Sequence, residues 1–255
     1  MTNIHPSAII HPDARIDDGV VIGPFCVVGQ HVKLGAGTVL QSHVVVDGHT
    51  TIGRECQLFP FACIGMKTQD LKYAGGIAYA EIGDHTVLRE FATVHTGTKD
   101  GEITKVGNKC LIMAYCHIAH GCVVGNEVIM SNSTQLAGEV KVEDLAIIGG
   151  MTGVHQFCRI GTMSMTGAGT RVRQDCPPYM ITEGDGSVIG PNIVGLQRRG
   201  IPQETRSTLK EAYRLLYREG LNRSQALERI KYEVADIPEI RHLIEFYQKS
   251  DRGVL

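Results

Sequence analysis

Three features that would assign the chain to a common class of protein are missing from its sequence. The 255 residues carry 25 Lys and Arg against 27 Asp and Glu, so the chain lacks the basic excess of a typical nucleic-acid-binding domain. No basic N-terminal start leads into an apolar stretch, and no apolar run approaches the roughly 18 residues that a membrane-spanning helix needs. We therefore expect no nucleic-acid binding, no membrane insertion and a cytoplasmic location.

The sequence also lacks the CxxC pairs that are typical of metal and redox sites, although it contains eight cysteines. Seven of them share one position in a repeat, four residues after an aliphatic residue. A small side chain at that position fits a buried corner, so we interpret these cysteines as core residues and not as ligands or nucleophiles. The seven are Cys26, Cys56, Cys110, Cys116, Cys122, Cys158 and Cys176.

A six-residue hydrophobic period runs through two thirds of the chain. From Ile4 to Val172, 24 of the 29 positions spaced six apart hold Ile, Leu or Val. Neither a helix nor an alternating strand has this period, whereas a parallel β-helix with three hexads in each coil does. Residues 18 apart should then stack about 4.8 Å from each other. The glycine that often follows the aliphatic residue is interpreted as a turn residue.

The period is interrupted twice without loss of phase. We interpret residues 66–81 and 99–105 as loops that project from an intact prism, the longer of which mixes charged and aromatic residues. We therefore divide the chain into a β-helix at residues 1–190 and a C-terminal helical domain at residues 191–255.

Helix signals follow the end of the period. Pro202 and Pro238 are expected in the first turns of two amphipathic helices, and Ser224 is expected to cap another. These apolar helix faces, together with the exposed ends of a prism, need partner surfaces, so the sequence predicts a homo-oligomer.

The stacking rule gathers polar residues at one corner of the prism. It places Gly138 one coil above His120, with His117, Glu139 and His155 nearby. An imidazole can take a proton from an attacking hydroxyl or amine at neutral pH, and a glycine N–H can stabilise the oxyanion that follows. The arrangement suits acyl transfer by direct attack, without a covalent cysteine intermediate.

Five motifs accompany the hexads over essentially the whole chain. They are residues 69–73 (QDLKY), 117–120 (HIAH), 147–152 (IIGGMT), 155–158 (HQFC) and 195–200 (GLQRRG). In combination they resemble the hexapeptide-repeat family of UDP-N-acetylglucosamine O-acyltransferases that opens lipid A biosynthesis.

The resemblance implies an all-β left-handed parallel β-helix with a C-terminal α-helical domain, assembled as a homotrimer with active sites between subunits. It implies transfer of a (R)-3-hydroxyacyl group from acyl carrier protein to the 3-hydroxyl of UDP-N-acetylglucosamine, with no cofactor and no metal. The mildly basic helical tail suits docking of an acidic carrier protein.

The resemblance also assigns residues to roles. His120 matches the general base and Gly138 the oxyanion N–H, with Glu139 beside them. The residues matched to substrate binding are Asp70, Lys72, His117, His155 and Gln156, with Arg198 for nucleotide phosphates and Ala168 for the end of the acyl chain. Because Ala168 is small, we expect a medium or long acyl group.

The sequence departs from the family pattern at two stacked positions. The family commonly has Asp where this chain has Gly121, and His where it has Glu139. One hypothesis is that Glu139 orients His120 in place of the missing Asp. A second is that Glu139 favours a cationic 3-amino acceptor, so that the product would be an amide of a UDP-diamino sugar.

Other classes share the prism. A γ-type carbonic anhydrase would bind zinc through three histidines, but it would leave residues 66–81 without a purpose. The related N-acyltransferase of the same pathway normally has a domain before its hexads, whereas here the hexads begin at Ile4. A non-enzymatic scaffold would not need the histidine column formed by His117, His120 and His155.

Overall fold

The computed structural model describes residues 2–255, and it forms the predicted left-handed parallel β-helix followed by α-helices. Short parallel strands stack into three sheets, and the aliphatic residue of each hexad points inward. The interior is a continuous column of buried residues such as Ile22, Leu40, Ile64 and Ile118.

Sheet A contains eleven strands, of which the last two form an antiparallel hairpin. They are Asn3–Ile4, Val21–Ile22, Val39–Leu40, Gln57–Leu58, Val87–Leu88, Leu111–Ile112, Ile129–Met130, Ile147–Ile148, Met165–Thr166, Met180–Glu183 and Ser187–Pro191.

Sheet B carries the histidine column and contains nine strands. They are Ile9–Ile10, Val27–Val28, Val45–Val46, Cys63–Met66, Thr93–His95, His117–Ile118, Gln135–Leu136, Gly153–Val154 and Arg171–Val172.

Sheet C closes the prism with eight strands. They are Arg15–Ile16, Lys33–Leu34, His49–Ile52, Tyr79–Ile82, Ile103–Val106, Val123–Val124, Lys141–Val142 and Arg159–Ile160.

Within the hexads, up to Val172, the stacking rule of 18 residues holds wherever no loop intervenes. His117 pairs with Gln135 and Gln135 with Gly153, as expected. Across the two loops the rule is wrong, because each loop adds whole hexads: Cys63 pairs with Thr93, and Thr93 pairs with His117. Strands also extend into both ranges expected to be loops, through Cys63–Met66, Tyr79–Ile82 and Ile103–Val106.

The role expected for the repeated glycine is also wrong. The left-handed backbone of each corner falls three residues after the aliphatic residue, and non-glycine residues such as Phe61 (φ 66°) and Glu139 (φ 58°) often occupy it. The glycine directly after the aliphatic residue is needed for close packing instead. A Cβ at Gly107 would lie 2.4 Å from the carbonyl oxygen of Gly125 in the next coil.

The C-terminal part contains four helices, which are α1 (Ile193–Arg198), α2 (Gln203–Tyr217), α3 (Arg223–Glu233) and α4 (Pro238–Gln248). Pro238 begins its helix as expected, whereas Pro202 lies at the N-cap of α2. Asn222, and not Ser224, caps α3, because its side chain accepts the N–H of Gln225. Helix α1 and the hairpin that follows the last hexad were not predicted.

The helices have their own apolar core and are tied to the prism by polar contacts. Leu209, Leu243 and Phe246 belong to that core. The partly buried carboxylate of Glu143 contacts Arg159 at 3.3 Å and His242 of α4 at 3.2 Å. Within residues 2–255, no helix combines the length and apolar character needed to cross a bilayer.

Candidate active site

A groove of about 860 Å³ runs along the outer face of sheet B. The first loop, residues 69–72, borders one side of it, and the strands of sheet B form its floor. The polar residues that line it are Gln69, Asp70, Lys72, His117, His120, Gln135, His155, Gln156, Arg171 and Arg173. The fold therefore brings together six of the residues singled out in the sequence.

His120 lies at the corner between sheets B and C, with its imidazole edge open to the groove. Its Nε2 lies 3.6 Å from Oδ2 of Asp70, and both side chains are 19% exposed. Its Nδ1 is buried and has no hydrogen-bond partner among residues 2–255. The nitrogen that faces the groove is thus the one available to a substrate proton.

Gly138 packs directly on the ring of His120. A Cβ at Gly138 would lie 2.3 Å from Nε2 and Cε1 of His120, so only glycine leaves the imidazole in place. The Gly138 N–H donates to no backbone or side-chain acceptor in the described chain. A hydrogen-bond donor thus lies beside the base without an internal partner, which suits an oxyanion.

Glu139 faces a second cavity, of about 620 Å³, on the other side of His120. Its Oε1 lies 3.8 Å from Nζ of Lys99, and among residues 2–255 its carboxylate makes no hydrogen bond to the imidazole of His120, although the Glu139 N–H donates to the His120 carbonyl oxygen. Glu139 does stack on Gly121, as expected: a Cβ at Gly121 would lie 3.0 Å from Cγ of Glu139 and 3.1 Å from Oε1 of Glu102.

His117 lies on the floor of the groove, where it is held by Thr93. The Thr93 hydroxyl and Nδ1 of His117 are 2.7 Å apart. Burial, together with the nearby His95 and His120, lowers the pKa of His117 to about 4. His117 is therefore neutral at physiological pH.

Sequence reasoning missed His95, which is buried with its ring edge-on to His117 at 4.9 Å. Burial lowers its pKa, and His120 lowers it further. The second loop adds one hexad, so the strand that contains His95 stacks on the strand of His117 at a spacing of 24 residues and not 18. The length of that loop was therefore the signal in the sequence that could have placed His95 beside His117.

The first loop presents Asp70 to the groove through a local turn. The Lys72 N–H donates to Oδ1 of Asp70 at 3.0 Å, and the Asp70 N–H donates to the hydroxyl of Thr68 at 3.1 Å. The backbone hydrogen bond from Lys72, followed by the charge of His120, lowers the pKa of Asp70. Leu71 between them is fully exposed.

His155 lies further along the groove and contacts the C-terminus of the chain. Nη2 of Arg252 lies 3.0 Å from Nδ1 of His155 and 3.3 Å from the carbonyl oxygen of Arg173. Nδ1 of His155 also lies 3.1 Å from the carbonyl oxygen of Gln156, so it accepts from Arg252 when it carries no hydrogen and donates to Gln156 when it does. Gln156 borders both cavities.

Two residues from the sequence analysis lie outside this groove. Arg198 is exposed at the end of α1, and its neighbour Arg199 pairs with Glu127 at the corner between sheets C and A. Ala168 is exposed at the corner between sheets A and B, one coil above Gly150. Neither residue meets His120 within one chain.

The cysteines next to His120 in the sequence point away from it. Cys116 and Cys122 are fully buried in the prism, and burial raises their thiol pKa to about 11 and about 12. A thiol without access to the groove cannot attack a substrate there. Among residues 2–255, no three His, Cys, Asp or Glu side chains are grouped so that they could hold a metal ion.

Two family models match the chain. The model described as "Udp N-acetylglucosamine O-acyltransferase; Domain 2" matches residues 175–255. The model described as "Bacterial transferase hexapeptide (six repeats)" matches residues 103–138.

Curated proteins are similar over nearly the full length. An acyl-[acyl-carrier-protein]–UDP-N-acetylglucosamine O-acyltransferase of Verminephrobacter eiseniae is 51% identical over 93% of this chain and 90% of its own. One of Thiobacillus denitrificans is 46% identical over all of both chains. The crystal structure of a UDP-N-acetylglucosamine acyltransferase from Bacteroides fragilis is 40% identical and superposes with a TM-score of 0.97 over 99% of each chain.

Proposed function

Since the chain belongs to the family of UDP-N-acetylglucosamine O-acyltransferases, we propose that it transfers a (R)-3-hydroxyacyl group from acyl carrier protein to the 3-hydroxyl of UDP-N-acetylglucosamine. This is the first step of lipid A biosynthesis. The observation that carries the assignment of the site is the imidazole of His120, whose Nε2 faces the groove and lies directly beside Gly138.

The chemistry needs one base and one oxyanion donor. Nε2 of His120 takes the proton of the sugar hydroxyl as its oxygen attacks the thioester carbonyl carbon. The Gly138 N–H donates to the oxyanion of the tetrahedral intermediate. When the carbon–sulfur bond breaks, the leaving thiolate takes the proton back from the imidazolium, so the enzyme returns to its starting state.

The remaining groove residues bind the acceptor and hold it in place. Asp70 lies within reach of the same nitrogen of His120 that takes the proton, so its carboxylate can accept from a neighbouring sugar hydroxyl. Neutral His117, together with His155, Lys72 and Gln156, offers further polar contacts along the groove.

A hydroxyl acceptor is favoured over an amino acceptor. The curated relatives are named for O-acyl transfer to UDP-N-acetylglucosamine, and they match the whole chain. In this structure Glu139 already has a cationic neighbour, since Nζ of Lys99 lies 3.8 Å from its Oε1.

We further infer that the active site is shared between copies in a homotrimer. Within one chain, Arg198 lies across the prism from the groove, so it reaches a groove only by packing on a neighbour. The outer face of sheet A offers a surface for such packing, because it carries a row of partly buried aliphatic residues. The row contains Val21, Val39, Val87, Leu111, Ile129 and Ile147.

The assay combines purified protein, 3-hydroxyacyl carrier proteins of several chain lengths, and UDP-N-acetylglucosamine or its 3-amino analogue. We expect O-acylation with medium or long chains and its loss in His120→Ala. Better use of the amino sugar, or full activity of His120→Ala, would contradict the proposal.

Mixed assembly tests the shared site. If Arg198 serves a neighbouring groove, His120→Ala and Arg198→Ala chains denatured and refolded together recover activity, because some sites combine an intact residue from each. Activity no greater than that of the separately refolded variants contradicts sharing.

A further inference from the structure

The end of the groove away from Asp70 is lined by two arginines that the reaction described above does not use. Arg171, in the last strand of sheet B, and Arg173, just after that strand, line the groove that contains His120. Both are exposed. Among residues 2–255, no carboxylate forms an ion pair with either of these two arginines, whereas seven other arginines do pair with carboxylates.

Arg252 holds this end of the groove in place. Its guanidinium donates to the carbonyl oxygen of Arg173 and contacts Nδ1 of His155, which links the C-terminal segment to the strand. Arg252 thus lies next to Arg173, and its own charge is partly balanced by the nearby buried carboxylate of Asp175. Uncompensated guanidinium groups that converge on a groove form a site for an anion, above all for a phosphate.

The floor between the arginines and the catalytic histidines is open. His117, Gln135, Gly153 and Arg171 follow one another on adjacent strands, so Arg171 lies three strand spacings, roughly 14 Å, from His117. A side chain at Gly153 would meet nothing within 4 Å, so an extended arm can lie along this floor.

The cavity on the other side of His120 has the opposite character. Four carboxylates line it, against two lysines: Asp70, Asp100, Glu102 and Glu139, with Lys72 and Lys99. A phosphate placed there would face these four carboxylates, whereas the arginines at the other end of the groove have no carboxylate paired with them. A phosphate group of a bound substrate is therefore expected to lie at the arginine end of the groove and not in the acidic cavity.

We propose that Arg171 and Arg173, supported by Arg252, form a subsite for a phosphate ester of a substrate. The proposal rests on the proposed function, whose two substrates each contain a phosphate ester: the phosphodiester of the phosphopantetheine arm on the carrier protein, and the diphosphate of the nucleotide sugar. Either could lie with its reacting group at His120 and its phosphate at the arginines.

The experiment compares donors with and without the phosphate. One donor is the 3-hydroxyacyl thioester of 4′-phosphopantetheine, and the other is the same thioester of pantetheine. KM is measured for both donors and for UDP-N-acetylglucosamine, with wild type, the double variant Arg171→Gln/Arg173→Gln, and a control, Arg15→Gln/Lys33→Gln, which removes the same charge from sheet C.

If the subsite binds the phosphate of the carrier arm, we expect wild type and the control to prefer the phosphorylated donor by about tenfold or more in KM, and the double variant to lose this preference. If it binds the diphosphate of the nucleotide sugar, we expect the double variant to raise KM for UDP-N-acetylglucosamine by a similar factor and to leave the donor preference unchanged. If the double variant matches wild type in both KM values, or if the control changes them equally, the subsite is refuted.

A binding measurement separates this proposal from the proposed function. Calorimetry with 4′-phosphopantetheine, pantetheine and UDP needs no turnover, so a phosphate-dependent affinity that disappears in the double variant supports the subsite even if acyl transfer is not observed. Transfer without any phosphate-dependent binding supports the function and refutes the subsite. An unchanged circular-dichroism spectrum and Tm establish that the double variant is folded.

Discussion

Nε2 of His120 lies 3.6 Å from Oδ2 of Asp70, although the first residue belongs to a corner of the prism and the second to a projecting loop. The contact is longer than a hydrogen bond, so the carboxylate does not occupy the nitrogen that the substrate needs. It can instead stabilise the imidazolium formed when the proton is transferred.

This geometry predicts different losses for the two side chains. His120→Ala removes the base, and we expect kcat to fall by about 100- to 10,000-fold. Asp70→Asn keeps the size but removes the charge, and we expect a smaller loss of about tenfold in kcat/KM. Steady-state kinetics with acyl carrier protein measure both; His11→Ala, far from the groove, is the control. A greater loss in Asp70→Asn than in His120→Ala would rule out the assigned base.

Gly138→Ala tests the packing on the imidazole. The added methyl group would lie 2.3 Å from the ring of His120, so the ring must move and the base is misplaced. We expect a loss of about 100-fold or more in kcat with little change in Tm, because the ring borders an open groove. Gly153→Ala has open space around its methyl group and serves as a matched control for folding. Wild-type kcat in Gly138→Ala would contradict the geometry.

The stacked pair Gly121 and Glu139 predicts coupled effects. Asp at position 121 would place a carboxylate beside Glu139 and Glu102, at a backbone φ of 66°. We expect Gly121→Asp to lower stability and activity, and Glu139→His to relieve the charge repulsion in the double variant.

A double-mutant cycle in urea unfolding and kcat measures this coupling. If Glu139 orients His120, the double variant should also recover the activity that Glu139→Ala loses. Strictly additive effects would show that the two positions act independently.

The pKa of His117, held near 4, predicts a loss of stability in acid. Between about pH 6.5 and 4 the unfolded chain binds a proton at this histidine that the folded chain does not, so the free energy of unfolding falls as the pH falls through this window. The contribution is a few kcal/mol at most, and it is fully recovered above about pH 6.5.

Urea unfolding at pH 7.5 and pH 5 tests the prediction in wild type and His117→Gln. The variant should lose less stability on acidification, while buried His95, whose pKa is also lowered, keeps part of the effect. Equal losses in both proteins would mean that His117 does not titrate as described.

Direct attack by the acceptor predicts that the thiol near the base is dispensable. Cys122 is fully buried and its pKa is raised to about 12, so Cys122→Ala should keep kcat within about twofold and cost about 1 kcal/mol of stability for the lost sulfur. Mass spectrometry after rapid quenching should detect no acyl group on the protein. An acylated Cys122, or loss of activity in a folded Cys122→Ala, would instead indicate a covalent intermediate.

The six-residue period by itself determined the prism, its interior and the placement of Gly138 on His120. These features depend on local spacing, because each hexad forms one side of a coil. The position of a residue within its hexad then determines which residue of the next coil it lies on. The same period was sufficient to show that Cys122 points inward.

Only the tertiary structure decided which distant segments meet. The loops add whole hexads, so the period alone could not bring His95 under His117 or Asp70 to His120. Arg252 reaches His155 from the last residues of the chain. The physical reason is the same in each case: the path of a loop or a chain end is set by the surfaces that it packs against, and the hexad pattern does not describe those surfaces.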